Sequence, residues 1–139
     1  MNDDTPRRSI RHLVMVDDDV IDRMIHRRIV ERSGLVENLH DFGSADAALA
    51  FLSSSGCPPI DAIVADINMP RMNGFEFLDE FETLSLRKRE LAASVVAILT
   101  TSLDPGDERR ARRSRAVKDV FHKPFDPEHL RRIAERLEG

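Results

Sequence analysis

Two apolar runs in this chain end in acids. Ile60-Asp61-Ala62-Ile63-Val64-Ala65 closes on Asp66, and Leu13-Val14-Met15-Val16 runs into Asp17-Asp18-Asp19. A third run, Val95 to Leu99, ends in Thr100-Thr101-Ser102, and a fourth segment, Val117 to His122, leads into Lys123-Pro124-Phe125. Strands ending this way present their polar groups at carboxyl ends, where open α/β sheets bind ligands. Three carboxylates gathered there would repel one another unless a cation neutralised them. Hard oxygen donors without His or Cys select magnesium over zinc. Magnesium keeps several waters and shares its shell with phosphate. A lysine and a threonine hydroxyl are what the remaining oxygens of a phosphoryl group need. The residues therefore read as a magnesium-assisted phosphoryl acceptor with one carboxylate as nucleophile. Any single segment of this kind is most simply a solvated turn. Four strand ends with complementary groups, in workable order along the chain, weigh against that plainer view.

The elements that must position these groups alternate. His12 to Val16 reads as a first strand. Ile21, Met24, Ile25, Ile29 and Val30 recur at helical spacing, and Gly34 stops that helix. Val36 to Phe42 is a short, polar second strand. Ser44 can cap a helix running through Leu52, with Ala45, Ala48, Leu49 and Leu52 toward the core. A Ser/Gly/Pro loop precedes the third strand, Ile60 to Ala65. Gly74 opens a helix with Phe75, Phe77, Leu78, Phe81 and Leu84 on its apolar side. Val95 to Leu99 is the fourth strand, Pro105 begins a short fourth helix, and Val117 to Phe121 is the fifth strand. Pro127 to Leu137 is the fifth helix. Five strands alternating with five helices imply an α/β fold, a mainly parallel sheet with helices on both faces. Phe75, Phe77, Phe81 and the methionines read as core packing rather than a ligand box.

Composition bounds what such a domain can be. The chain has 139 residues, 41% hydrophobic and 33% charged, with a formal net charge of −4. That is enough for one domain with a sizeable core. We expect a loose tail over residues 1–10, a single domain over 11–139 and no output domain. No window approaches the roughly 20 apolar residues of a membrane span, and the polar N-terminus lacks the apolar stretch of a secretory signal. Cys57 is the one cysteine, so no internal disulfide can form and the expected location is cytoplasmic. There is no Cys/His cluster for structural zinc. Net acidity argues against a general nucleic-acid footprint.

Four motifs carry a family resemblance: Val16-Asp17-Asp18-Asp19, Asp66-Ile67-Asn68-Met69-Pro70, Leu99-Thr100-Thr101-Ser102 and Lys123-Pro124-Phe125. From Arg11 to Leu137 the sequence resembles a two-component response-regulator receiver domain. Asn73 to Leu84 and the Thr-Thr-Ser resemble stand-alone, single-domain bacterial receivers in particular. The resemblance implies a flavodoxin-like five-stranded parallel sheet in the order 2-1-3-4-5. It implies that Asp66 is the phosphoacceptor, taking its phosphoryl group from a sensor histidine kinase or a histidine phosphotransfer protein. Asp18 would bind Mg2+ directly and Asp17 through water, with Asp66 and the backbone carbonyl of Asn68 completing the protein ligands. Lys123 would pair with the acceptor and then the phosphoryl group, and Thr100 would swing its hydroxyl onto it as the switch. Lys123-Pro124 is often a cis peptide in this family. The chemistry implied is self-phosphorylation from a donor and autodephosphorylation, not turnover of a separate substrate.

Asp19 reads as a helix N-terminal acid rather than a ligand, as Ser44 and Asp104 also read as local caps. Many receivers carry an aromatic three residues before the lysine; here that position is Val120, and alternation sends Phe121 to the other face. The stretch Glu108-Arg109-Arg110-Ala111-Arg112-Arg113-Ser114-Arg115 is either a solvated face or a docking surface on the fourth-helix to fifth-helix side. In the second case Arg109, Arg112 and Arg113 would meet a partner or a second copy, with Glu128 and Glu135 as acidic counterparts. Nucleic acid is disfavoured there because no aromatic interleaves the arginines. Two alternatives stand beside a signalling switch: a phosphate shuttle or sink in a phosphorelay, and a haloacid-dehalogenase-like phosphatase using Asp17 and Asp19. The second would leave Asp66 idle and has no room for a substrate cap.

Overall fold

The computed structural model describes residues 10–69, 71–101 and 103–138. The elements are β1 (Ile10–Val16), α1 (Val20–Ser33), β2 (Val36–Phe42), α2 (Ala45–Ser53), β3 (Ala62–Asp66), α3 (Gly74–Arg87), α4 (Arg89–Ala92), β4 (Val95–Thr100), α5 (Pro105–Arg112), β5 (Val117–His122) and α6 (Pro127–Glu138). The strands form one sheet in the order β2-β1-β3-β4-β5, and each neighbouring pair is parallel. The expected fold class and strand order are therefore found. The tail expected over residues 1–10 lies outside the described residues except for Ile10. That residue is instead the fully buried start of β1, held by its N–H to the Leu35 carbonyl at 2.9 Å.

Two apolar layers sandwich the sheet. Val14, Val16, Ile63, Ala65, Val96 and Ile98 pack with α2, α3 and Ala111 of α5. Leu13, Met15, Val64, Ala97 and Leu99 point the other way, toward Val30 of α1 and Leu130 and Ile133 of α6. The period-2 alternation of each central strand thus feeds both layers, as parallel sheets covered on both faces require. Burying one such Leu, Ile or Phe contributes roughly 1.5–3 kcal/mol.

Local chemistry sets the helix starts. Ser44 caps α2 through the Ala47 N–H, and Asp104 caps α5 through the Gly106 N–H. Asn73 and Glu76 form a reciprocal capping box at α3. A turn of helix, α4, was not expected: its four residues are too short to show a period, and Leu91 is its one buried anchor. It makes six helices among the described residues, so the arginine-rich fourth helix of the sequence is α5. That helix ends at Arg112, so Arg113 is its C-terminal cap and Arg115 lies beyond it.

The apolar stripe of α1 is covered only at its C-terminal end, where Val30 is buried and Ile29 packs partly against the core. Ile21, Met24 and Ile25 are 65%, 57% and 50% exposed, and Val20 is 60% exposed, whereas His26 and Val30 are buried. Helical period locates a helix but does not say which face is covered when the open face is also apolar. At the β5 edge, Asp119 is buried and carries a two-pronged pair with Arg136 of α6, Nη2 to Oδ1 being 3.0 Å. Among the described residues no helix is long and apolar enough to cross a membrane.

Candidate functional site: an acid pocket around one lysine

The four strand ends singled out in the sequence meet at the carboxyl edge of the sheet. Asp66 is the last residue of β3 and pairs with Leu99 of β4. Asp17 follows β1 directly, its N–H donating to Phe42 at 3.1 Å. Lys123 follows β5, and its N–H donates to the Thr100 carbonyl at 2.8 Å, which pins the two loops together. The Lys123-Pro124 peptide is cis, as the family resemblance implies.

Asp17 and Asp66 are held alike. Oδ1 of Asp17 accepts the Asp19 N–H at 2.9 Å, and Oδ1 of Asp66 accepts the Asn68 N–H at 3.0 Å. These bonds fix each carboxylate by its own following turn. The other oxygen of each faces Lys123 Nζ, at 3.1 Å in both cases. Asp18 is exposed, yet it can offer an oxygen within 4.8 Å of ones from Asp17 and Asp66. Two unit charges that close repel by at least about 3 kcal/mol at an effective dielectric near 20. One ammonium cannot cancel three carboxylates, so the donor set has an unmet need for positive charge. All its donors are oxygens, which fits Mg2+ and not a thiolate- or imidazole-seeking metal.

The protonation states follow from the same crowding. Burial pushes the Asp66 carboxyl above its ordinary value, against the Asn68 N–H and Lys123, while Asp17 pushes it up further. For Lys123, burial alone would lower the pKa, but hydrogen bonds and charge from Asp22, Asp66 and Asp17 outweigh it and hold the ammonium well above its usual range. The paired residues thus shift the same way, because Lys123 is shared among several acids and gives Asp66 only part of its compensation.

Thr100 ends β4 and is 2% exposed. Asp19 is the N-cap of α1, accepting the Asp22 N–H at 2.9 Å, so its side chain serves the helix, as expected from sequence. Val120 is half-buried against the α2–α3–α5 layer, while Phe121 is buried on the opposite layer and stacks on His129 with ring centroids 4.2 Å apart. The alternation argument holds for Phe121, and the ring on the Val120 side of β5 is the exposed imidazole of His122, whose Nε2 lies 4.0 Å from Glu108 of α5.

Two residues at the pocket were missed by sequence reasoning. Asp22 Oδ2 lies 2.9 Å from Lys123 Nζ, the shortest of the three contacts. It stands in the first turn of α1, and its spacing in the sequence does not mark a contact with Lys123. His26, 5% exposed, has Nδ1 4.0 Å from Asp17 Oδ2 and meets Phe125 edge-on at 5.4 Å. That nitrogen makes no hydrogen bond among the described residues. Burial lowers the His26 pKa, with Asp17 opposing, so a neutral imidazole backs the acid pocket.

Comparison with known proteins gives a consistent picture. The family model for the response regulator receiver domain matches residues 13–135. The chain is 28% identical to the two-component response regulator ORR6 of Oryza sativa subsp. japonica over 126 residues, covering 91% of this chain and 70% of that one. It is also 28% identical to the cyclic di-GMP phosphodiesterase response regulator RpfG of Xanthomonas campestris, but spans only 31% of that protein's length. Among solved structures it resembles a two-component response regulator from Cytophaga hutchinsonii, with a TM-score of 0.80 and 28% identity over 93% of this chain and 97% of that one.

Proposed function

The chain belongs to the response regulator receiver domain family, and on that premise we propose that it is a magnesium-dependent phosphoacceptor switch with Asp66 as acceptor. The observation that carries this reading is the convergence of Asp17, Asp18 and Asp66 within 4.8 Å beside a lysine that touches two of them. Asp18 would hold Mg2+ directly, Asp17 through water, and Asp66 and the Asn68 carbonyl would complete the protein's share. Bound there, Mg2+ supplies positive charge to the oxygens of the incoming phosphoryl group.

The residues do the rest by position. The Asp66 carboxylate is the nucleophile, with Oδ1 held by the Asn68 N–H and Oδ2 facing Lys123 Nζ. It attacks the phosphorus of a phosphohistidine on a histidine kinase or phosphotransfer protein. The P–O bond forms as the P–N bond breaks, the electron pair leaves with the imidazole, and that ring takes up a proton. Lys123 then neutralises a phosphoryl oxygen, and the Thr100 hydroxyl turns toward another, drawing the β4–α5 loop with it. Val120 offers this movement no ring of its own, and His122 on the same side of β5 reaches Glu108 of α5, so the signal leaves through the loop and α5. The exposed Val20, Ile21, Met24 and Ile25 lie on the helix that opens directly after the acid cluster. Their exposure supports contact with a protein donor at that rim. Arg109, Arg112 and Arg113, all exposed, form the second candidate contact face, toward an acidic partner or a second copy.

The test is covalent. Wild-type protein incubated with Mg2+ and acetyl phosphate should gain an acid-stable, alkali-labile phosphoryl group, and Asp66→Asn should gain none. Full labelling of Asp66→Asn would sink the assignment.

A further inference from the structure

Lys123 has three N–H donors and no acceptor, and all three are engaged: Asp17 Oδ2 at 3.1 Å, Asp66 Oδ2 at 3.1 Å and Asp22 Oδ2 at 2.9 Å. The first two partners have other duties once the site works. On the phosphoacceptor reading, the Asp66 carboxylate becomes an acyl phosphate, and Asp17 turns to the cation. Asp22 has no such second task. It sits in the first turn of α1, where a carboxylate also suits the helix dipole. A dipole acid alone, however, has no reason to aim an oxygen at an amine 101 residues away.

The burial gradient fits a retaining role. The side chains of Asp17 and Asp66 are 3% and 6% exposed, that of Lys123 is 15% exposed, and that of Asp22 is 35% exposed. Asp22 therefore closes the lysine from the solvent side while the two buried acids hold it from below. We infer that Asp22 is a positioning residue for phosphoryl transfer, anchoring the Lys123 ammonium over the acceptor as Asp17 and Asp66 are withdrawn from it. This rests on the phosphoacceptor reading and adds to it a residue outside the four receiver motifs. An anchored ammonium meets the incoming phosphoryl oxygens without first being ordered, and that preorganisation is what a positioned charge contributes to a transition state.

The role predicts a sign. If Asp22 acted only as one more negative charge near an anionic donor, removing it would speed phosphorylation. As an anchor, its removal slows the reaction. The experiment compares wild-type protein, Asp22→Ala and Asp22→Asn for the initial rate of Mg2+-dependent labelling by acetyl phosphate, a donor too small to need docking. Asp22→Ala should be slower on the order of tenfold, the weight of one hydrogen bond to a charged group. Asp22→Asn keeps an acceptor oxygen in place without the charge and should recover most of the rate. Selective 15N labelling of the lysines, with Lys123 assigned by its absence in Lys123→Arg, should show a displaced, faster-exchanging Nζ signal in Asp22→Ala and a nearly native one in Asp22→Asn. Equal rates in all three proteins, or equal acceleration in both variants, would overturn the inference while leaving Asp66 as acceptor. A wild-type protein that takes no label would instead overturn the phosphoacceptor reading, and this inference with it.

Discussion

A Cβ placed on Gly74 would stand 2.8 Å from the carbonyl oxygen of Asp66 and 2.6 Å from the Ile67 Cα. Both neighbours are backbone, so neither can rotate away. The Gly74 N–H also donates to the Ile67 carbonyl at 2.9 Å. The start of α3 is therefore seated directly on the strand end that carries the acceptor. Gly74→Ala should cost about 1–3 kcal/mol by overpacking and should displace Asp66 from Lys123. Urea unfolding gives the first effect and the labelling rate the second. A variant with wild-type stability and rate would show that the contact is soft.

Asp66→Asn should stabilise the metal-free protein. The folded-state pKa of Asp66 is raised by burial above the unfolded value of 3.8. The native state therefore holds that proton more tightly than the unfolded chain, and stability falls as pH rises through the window above 3.8. At pH 7 the full cost is present, and asparagine removes it. The thermal midpoint in EDTA at pH 7 should rise by a few degrees, since ~1 kcal/mol moves a domain of this size by roughly 2–8 °C. A lower midpoint would mean that Asp66 stabilises the fold through Lys123 more than it strains it.

Magnesium should reverse that order. A cation bound to the native state alone stabilises it by about 1.4 kcal/mol when its concentration is tenfold above the dissociation constant. Millimolar Mg2+ should therefore raise the wild-type thermal midpoint, and Asp18→Ala should abolish the rise together with labelling. Asp17→Ala should weaken both less, because its contact is expected through water. Labelling that persists unchanged in EDTA would refute the metal's role.

His129 should make the protein acid-sensitive at the N-terminus of α6. Its Nδ1 accepts the Asp126 N–H at 3.1 Å, so that nitrogen must carry a lone pair. Burial lowers the His129 pKa below 6.5, against Asp126. The unfolded chain then binds a proton more readily than the native one, and the stability contributed by neutral His129 is lost as pH falls below 6.5. His129→Asn can keep an acceptor oxygen without titrating, so its stability difference between pH 7.5 and pH 5.5 should be smaller than that of the wild type. Parallel curves would assign the acid sensitivity elsewhere; the partly buried His40, whose pKa is also lowered by burial, is the next residue to replace.

Replacing Arg109, Arg112 and Arg113 with glutamine should leave acetyl phosphate labelling of Asp66 intact, because α5 contributes no side chain to the acid pocket described above. Any phosphorylation-dependent association should weaken and lose its salt dependence. Only Arg112 of the three has a local ion pair among the described residues, to Glu108 at 3.1 Å, and an exposed pair of that kind is worth at most about 1 kcal/mol. Sedimentation with and without beryllofluoride reads the effect. Identical mass distributions for both proteins in both states, with unaffected kinase pull-down, would make the cluster a solvated face.

The strand ends were legible because apolar alternation and a terminal acid occupy a few adjacent residues. The sheet order came with the family resemblance, which those same motifs carried. Asp22 and His26 were not legible, since their contacts join residues of α1 to groups brought near only by folding. The α1 stripe was right at Ile29 and Val30, which meet the core, and misled at Ile21, Met24 and Ile25, which have the period of a buried face while lying open. Helix α4 escaped because one turn has no period.

The salt link from Asp119 to Arg136 bears on how copies of this protein can meet. β5 is an outer strand of the sheet, and a bare outer strand is a template on which another chain can add its own. Here Lys118 is exposed, and the adjacent Asp119 is tied down by α6. A foreign strand aligning with β5 would have to accommodate the lysine and displace the arginine from its carboxylate. The edge is guarded against growth into an extended sheet, and association on this side is left to side chains on the flanking helices, which can let go again.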